Sequence, residues 1–426
     1  MPAILSWIDA QQERMLRLVR QWSAINSHTG NVAGVTRMVA AARSAFAPLG
    51  GTQRLVRLPA YESIGNDGAT RLTPVGPALS IRKRPRARRS VLLCIHTDTV
   101  YPPANPAAAP KRATQKRNAA ETTQLKGNIL RGPGVADAKG GLVVMLVALQ
   151  ALEKSDAAEK LGWEVLLNPD EEIGSSSSRS LLEQAAGRHQ VGLLFEPALD
   201  DAGTLAAARR GTGNFAIVVR GRSAHAGRDF AAGRNALAAA AELAVGLHQL
   251  NRQLADITIN VARLDGGGPL NVVPNLAILR FNVRITQPDQ AQPVQRCIND
   301  LVAQINQHDG ISAELIGRFG NMPKLFDQPH IELFNLVAQC ARDLGRPVRW
   351  HDTGGVCDGN RLAAAGLPNV DSLGVCGGGL HSADEYMLVD SLTQRAKLAA
   401  VVLMRLASEA SPLCGGEKTG TLRVTR

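Results

Sequence analysis

Ser90-Val91-Leu92-Leu93-Cys94-Ile95-His96-Thr97-Asp98 joins an unbroken apolar run to a polar end. A run of this length with no polar alternation suits a parallel strand buried on both faces. The polar residues at its carboxyl end fall where open α/β sheets collect their ligands. Working outward, Glu164–Leu167 and Val191–Phe195 read as further short buried strands, and Gly140–Glu153 reads as a helix. Strands alternating with helices predict a mainly parallel sheet flanked by helices, an α/β fold.

Each strand in this set runs into polar residues. Asp170-Glu171-Glu172-Ile173-Gly174-Ser175 follows one, and Glu196-Pro197 follows another. The apolar helix is introduced by Gly132-Pro133-Gly134-Val135-Ala136-Asp137-Ala138-Lys139-Gly140-Gly141. A late strand, Asn369–Val375, leads to Gly377-Gly378-Gly379-Leu380-His381-Ser382.

Between these parts the pattern changes. Strands are predicted at Asn214–Arg220, Ile257–Leu264, Leu276–Ile285 and Ile311–Ile316, with helices at Asn235–Leu250 and Pro293–Gln307. The order β-α-β-β-α-β is the ferredoxin-like split arrangement. The expected organisation is therefore a discontinuous catalytic domain, 1–210 and 324–412, interrupted by an inserted domain at 211–323. After the insertion, Leu333–Leu344 and Ser391–Leu406 read as helices, and Ser391-Leu392-Thr393-Gln394 fits a capping box. Residues 102–126, rich in Pro, Ala and Lys, read as a flexible insertion, and 413–426 as a tail.

The chain has 426 residues, with 48 Lys and Arg against 37 Asp and Glu, a net charge of +11. Much of the excess sits in 79–126, which holds eleven basic residues and two acidic ones. That is narrower than a nucleic-acid footprint, and only Tyr101 offers an aromatic face there. Nucleic acid is thus not an expected partner. Six scattered cysteines without a CxxC pair suit a reducing compartment. The N-terminus is amphipathic, unlike a secretory leader, and Gly140–Leu152 is short for a bilayer. The expectation is a cytoplasmic protein with no membrane partner.

Together the strand ends supply two imidazoles and several carboxylates, ligands that zinc accepts. A carboxylate has two oxygens and can bridge two ions, and a pair of close metals suits hydrolysis of a carbonyl compound. The adjacent Glu171 and Glu172 can divide the roles of base and ligand.

The order H-T-D, G-P-G-x-x-D-x-K-G-G, D-E-E-I-G-S, F-E-P, S-A-H-A-G and L-H-S-A-D-E resembles one family from about Asn26 to Leu406. It is the di-zinc family of carboxypeptidase G, aminoacylase, acetylornithine deacetylase and succinyl-diaminopimelate desuccinylase. The resemblance is nearest to the carboxypeptidase G-like branch. It implies two Zn2+ per chain, with Co2+ or Mn2+ as substitutes. Asp137 would bridge them, His96 and Glu196 completing one site and Glu172 and His381 the other. Glu171 would be the general base, and Asp98 would orient His96. The peptide after Asp137 would be cis; Ala138 stands where many members have Met or Asp. On the inserted domain, His225 would hold the oxyanion, often from the partner of a homodimer. Asn271 and Arg284 would clamp the substrate carboxylate. Asp358 lies in a segment that could serve substrate or cap a helix.

The implied activity is hydrolysis of an amide or peptide bond beside a carboxylate, on a small peptide. An N-acyl amino acid deacylase would use the same machinery. A basic binding protein without turnover is the rival from another class, and the complete ligand set argues against it.

Overall fold

The computed structural model describes residues 1–103 and 122–408. Most of the 102–126 insertion, the tail and Cys414 lie outside the described residues. Within the insertion, Gln124–Lys126 is a strand paired with Ile129–Arg131, which corrects the expectation of a flexible stretch there.

The central sheet has six strands in the order Thr52–Val56, Ala78–Lys83, Gly162–Asn168, Ser90–His96, Val191–Leu194, Asn369–Val370. Only Ala78–Lys83 runs against the others. Ser90–His96 and Gly162–Asn168 are buried at every position, as their unbroken apolar runs require. The helix Gly141–Glu153 buries all but Gln150 and Glu153 and packs along Ser391–Ala407. Only together with the preceding turn from Val135 is it long and apolar enough to pass for a membrane span, and 89% of that stretch is buried, as in a core helix. Its first residue explains a glycine of the motif: a Cβ on Gly141 would lie 1.9 Å from the Phe195 carbonyl oxygen.

The second sheet is antiparallel, in the order Thr258–Gly266, Leu276–Ile285, Gly211–Arg220, Ser312–Asn321. The helices Ala236–Gln253 and Ala291–Ile305 cover one face and close a separate core. The hairpin Tyr61–Ile64/Thr70–Thr73 lies over the other face, where Ile64 joins Ala216, Val218 and Ile278. Arg280 fixes it by donating to the Ile64 carbonyl (2.9 Å) and to Asn66 Oδ1 (3.2 Å). Gly211–Arg220, in the sheet interior, is thus buried on both sides, while the edge strand Thr258–Gly266 is mostly exposed.

The chain crosses between the sheets twice, and the crossings are tied together. Arg209 and Lys324 exchange backbone hydrogen bonds of 3.0 Å. The buried Asp371 takes both side chains: Arg209 through Nε (2.9 Å) and a terminal nitrogen (2.8 Å), and Lys324 through Nζ (2.8 Å). Asn360 Nδ2 donates to the carbonyls of Arg210 and Met322, at 2.9 Å each.

Asp371 also accounts for a correction. The strand predicted over Asn369–Val375 ends at Val370, because Asp371 turns to this pair and Ser372 adopts φ +64°. A second correction concerns Ser391. The helix Ser391–Ala407 starts after Asp390 without a side-chain cap. Ser391 Oγ is already engaged, accepting from Cys376 N–H (3.0 Å) and donating to Leu388 O (2.6 Å).

Candidate metal centre

The strand ends bring His96, Asp137, Glu172, Glu196 and His381 to one place. Asp137 stands between the two histidines. Its Oδ1 is 2.9 Å from His96 Nε2, and its Oδ2 is 3.2 Å from His381 Nε2. Glu196 Oε2 lies 3.6 Å from His96 Nε2, and Glu172 Oε2 lies 3.3 Å from His381 Nε2. Each histidine thus has Asp137 and one glutamate of its own. Donor atoms of His96, Asp137 and Glu172 all lie within 4.8 Å of one another. The Asp137–Ala138 peptide is cis.

The hydrogen-bonded carboxylates of Asp137 and Glu172 push the His381 imidazole up to about 10. Burial works against the charge on His96, but Glu196, Asp137 and Asp98 raise it well above the usual range. Glu172 Oε1 and Glu196 Oε1 are buried with no hydrogen-bond partner. Buried carboxylate oxygens are costly to leave unmatched, so the donor set fits two divalent cations sharing Asp137.

Asp98 sits beneath this group. The backbone carbonyl of Asp98 is 3.0 Å from His96 Nδ1 and its Oδ1 is 3.4 Å away, so both nitrogens of that ring are engaged. The same carboxylate accepts from the N–H groups of Glu171 (3.2 Å) and Glu172 (3.3 Å) and from Thr29 Oγ1 (2.7 Å). One side chain therefore links the His96 strand to the Glu171–Ile173 turn. The Glu171 carboxyl makes no hydrogen bond to the described residues. Burial, then the charge of Glu196, pushes it well above the ordinary carboxyl range.

The three candidates in the inserted segment stand apart. His225 and Asn271 share one corner, where His225 bridges Val272 and Ala226 N–H donates to Asn271 O (2.9 Å). Arg284 is half-buried and donates to Asn282 Oδ1 (2.8 Å). None of their hydrogen bonds reaches the metal cluster. Asp358 is not a helix cap, since Cys357 occupies the cap position. Its buried carboxyl accepts from Ser175 Oγ (2.5 Å) and Asn168 Nδ2 (2.7 Å), behind the sheet end.

Two motif residues were passed over in the sequence. Lys139 is buried, donates to the Ile25 carbonyl (2.9 Å), and is pushed down to about 8 by burial. Glu385 is 1% exposed and accepts from the N–H groups of Gly134, Ala136 and Asp137. Its place four residues after His381 was the available signal.

Residues 92–405 match the family described as Peptidase family M20/M25/M40. Carboxypeptidase G2 from Pseudomonas sp. is 26% identical over 336 residues, 78% of each chain. A succinyl-diaminopimelate desuccinylase from Verminephrobacter eiseniae is 29% identical over 412 residues, covering 93% of this chain and 98% of that one. Among solved structures, an M20 family metallo-carboxypeptidase from Sulfolobus solfataricus superposes with a TM-score of 0.71 at 16% identity, covering 92% of this chain and 99% of its own. That likeness shows the fold.

Proposed function

The chain belongs to the peptidase family M20/M25/M40 and is a metal-dependent hydrolase of amide or peptide bonds, and from that premise we propose a carboxypeptidase- or dipeptidase-like enzyme that cuts beside a substrate carboxylate. The observation that carries this reading is Asp137, with one oxygen toward His96 and the other toward His381. In the proposal His96, Asp137 and Glu196 hold one Zn2+, and His381, Asp137 and Glu172 hold the other; Co2+ or Mn2+ would substitute. When bound, the two cations supply Lewis acidity, polarising the scissile carbonyl and acidifying the attacking water. Glu171 takes that water's proton and returns it to the leaving amine. Its raised pKa suits a group that works in both directions. Asp98 keeps the His96 ring in one orientation. Asn271 and Arg284 are proposed to recognise the carboxylate, and His225 to hold the oxyanion.

The 29% identity to a desuccinylase keeps an N-acyl amino acid deacylase as the second reading, with the same residues in the same roles. Five free thiols among the described residues support a cytoplasmic setting. The experiment is metal analysis of protein purified without chelator, followed by product release from dipeptides, N-acyl amino acids and their carboxyl-amidated forms. About two ions per chain and activity on free-carboxylate substrates alone are expected. Equal activity on the amidated forms would overturn the carboxylate requirement.

A further inference from the structure

Resting on the two-cation reading, we propose that Glu385 and Tyr101 form one positioning unit that sets the second metal position, made by Asp137, Glu172 and His381, more strongly than the first, with which it shares Asp137. The two positions are built differently. His96 ends a buried strand, its side chain is 1% exposed, and its Nδ1 is fixed at 3.0 Å from Asp98 O. His381 lies on a loop at φ +61° with its side chain 55% exposed, and among the described residues its ring's polar partners are Asp137 and Glu172. A ligand so exposed needs its loop held by something else.

Glu385 holds both sides of that position. It is four residues beyond His381, and its carboxylate is spent on the turn that carries Asp137. Oε2 accepts from Gly134 N–H (2.8 Å), and Oε1 accepts from Ala136 N–H (2.9 Å) and Asp137 N–H (2.9 Å). The Glu385 backbone carbonyl also takes Gly132 N–H at 3.1 Å. Charge-assisted bonds to backbone N–H groups are strong and directional. Here they lock the bridging ligand to the strap that bears the terminal one.

Tyr101 closes the arrangement. Its hydroxyl donates to Ser382 O (2.9 Å), next to His381, and sits beside the Glu385 carboxylate. Its own carbonyl is held by Asn26 Nδ2 at 3.0 Å. The extension of the His96 strand is thereby tied to the His381 loop. Neither residue would touch substrate or metal; both act through the placement of Asp137 and His381.

The test uses an isosteric change. Glu385→Gln keeps the shape but turns one acceptor oxygen into an NH2 facing backbone donors. Full-length chains loaded with Co2+ are titrated by equilibrium dialysis, with the visible absorption of bound cobalt as a second readout. The expected result is a second ion held about 10–100-fold more weakly, the range for losing a group that orients ligands, while the first, which keeps His96 and Glu196, weakens less. Raising Co2+ should restore the second spectrum and turnover together. Tyr101→Phe should move the same site in the same direction by less. Two ions at wild-type affinity in Glu385→Gln, or parallel weakening of both, would overturn the proposal. If Glu385→Gln does not fold, Tyr101→Phe decides, with unchanged affinities counting against it. Wild-type chains binding a single ion would instead bring down the two-cation reading before any variant is compared.

Discussion

Glu171 and Glu172 are neighbours in the chain, share Asp98 through their backbone N–H groups, and differ in what their carboxyls meet. Glu172 Oε2 faces His381, while the Glu171 carboxyl has no bonded partner among the described residues, and burial, then the charge of Glu196, discourages its ionisation. Glu171→Gln should therefore bind metal as the wild type does and lose about 10²–10⁴-fold in kcat, the range of a general base. Glu172→Gln should lose one ion per chain at limiting zinc. Metal content and kcat measured on the same preparations separate the two; near-normal turnover in Glu171→Gln would refute its role. These residues were legible because each stands at the end of an apolar run, so chain-local pattern marked it. Glu385 was not, since its partners are backbone N–H groups, which any sequence supplies. Tyr101 was not, because its hydroxyl meets a carbonyl 281 positions away.

Among elements, the buried strands and the β-α-β-β-α-β order could be read from periodicity, and their bounds shifted only where side chains had other duties. Ser391 was such a case, its hydroxyl taken by Cys376 and Leu388. Asp371 was another, ending a strand early to hold Arg209 and Lys324. No local pattern reveals a carboxylate whose two cations lie on the separate crossings to another sheet. Removing it leaves two buried cations unpaired, a change that typically costs about 3–5 kcal/mol. Asp371→Ala should accordingly lower the melting temperature markedly in a thermal scan. Asp67→Ala, which breaks the exposed Asp67–Arg71 pair, should leave the curve unchanged. Equal melting of the two variants would show that Asp371 holds nothing essential.

At the scale of the whole molecule, His225 lies in the inserted segment and the metal cluster outside it, and among the described residues no hydrogen bond joins them. We propose that a second copy of the chain supplies His225 across a homodimer, since the Asp371 pair and the Tyr61–Thr73 hairpin both hold the second sheet in place. Mixing His225→Ala chains with Glu171→Gln chains, with exchange verified, should restore activity, because each mixed dimer would have one site with both defects and one with neither. A mixture that stays inactive would leave the single chain closing on itself. The pairing of Gly141–Glu153 with Ser391–Ala407 has a different consequence. On the ribosome the first of these helices emerges long before the second, and after it must come both crossings and the entire second sheet. Throughout that interval the nascent chain carries an apolar helix that can meet earlier elements such as Gln12–Ser23 but not Ser391–Ala407, so the face awaiting that partner is where a chaperone or the membrane-targeting machinery would find it.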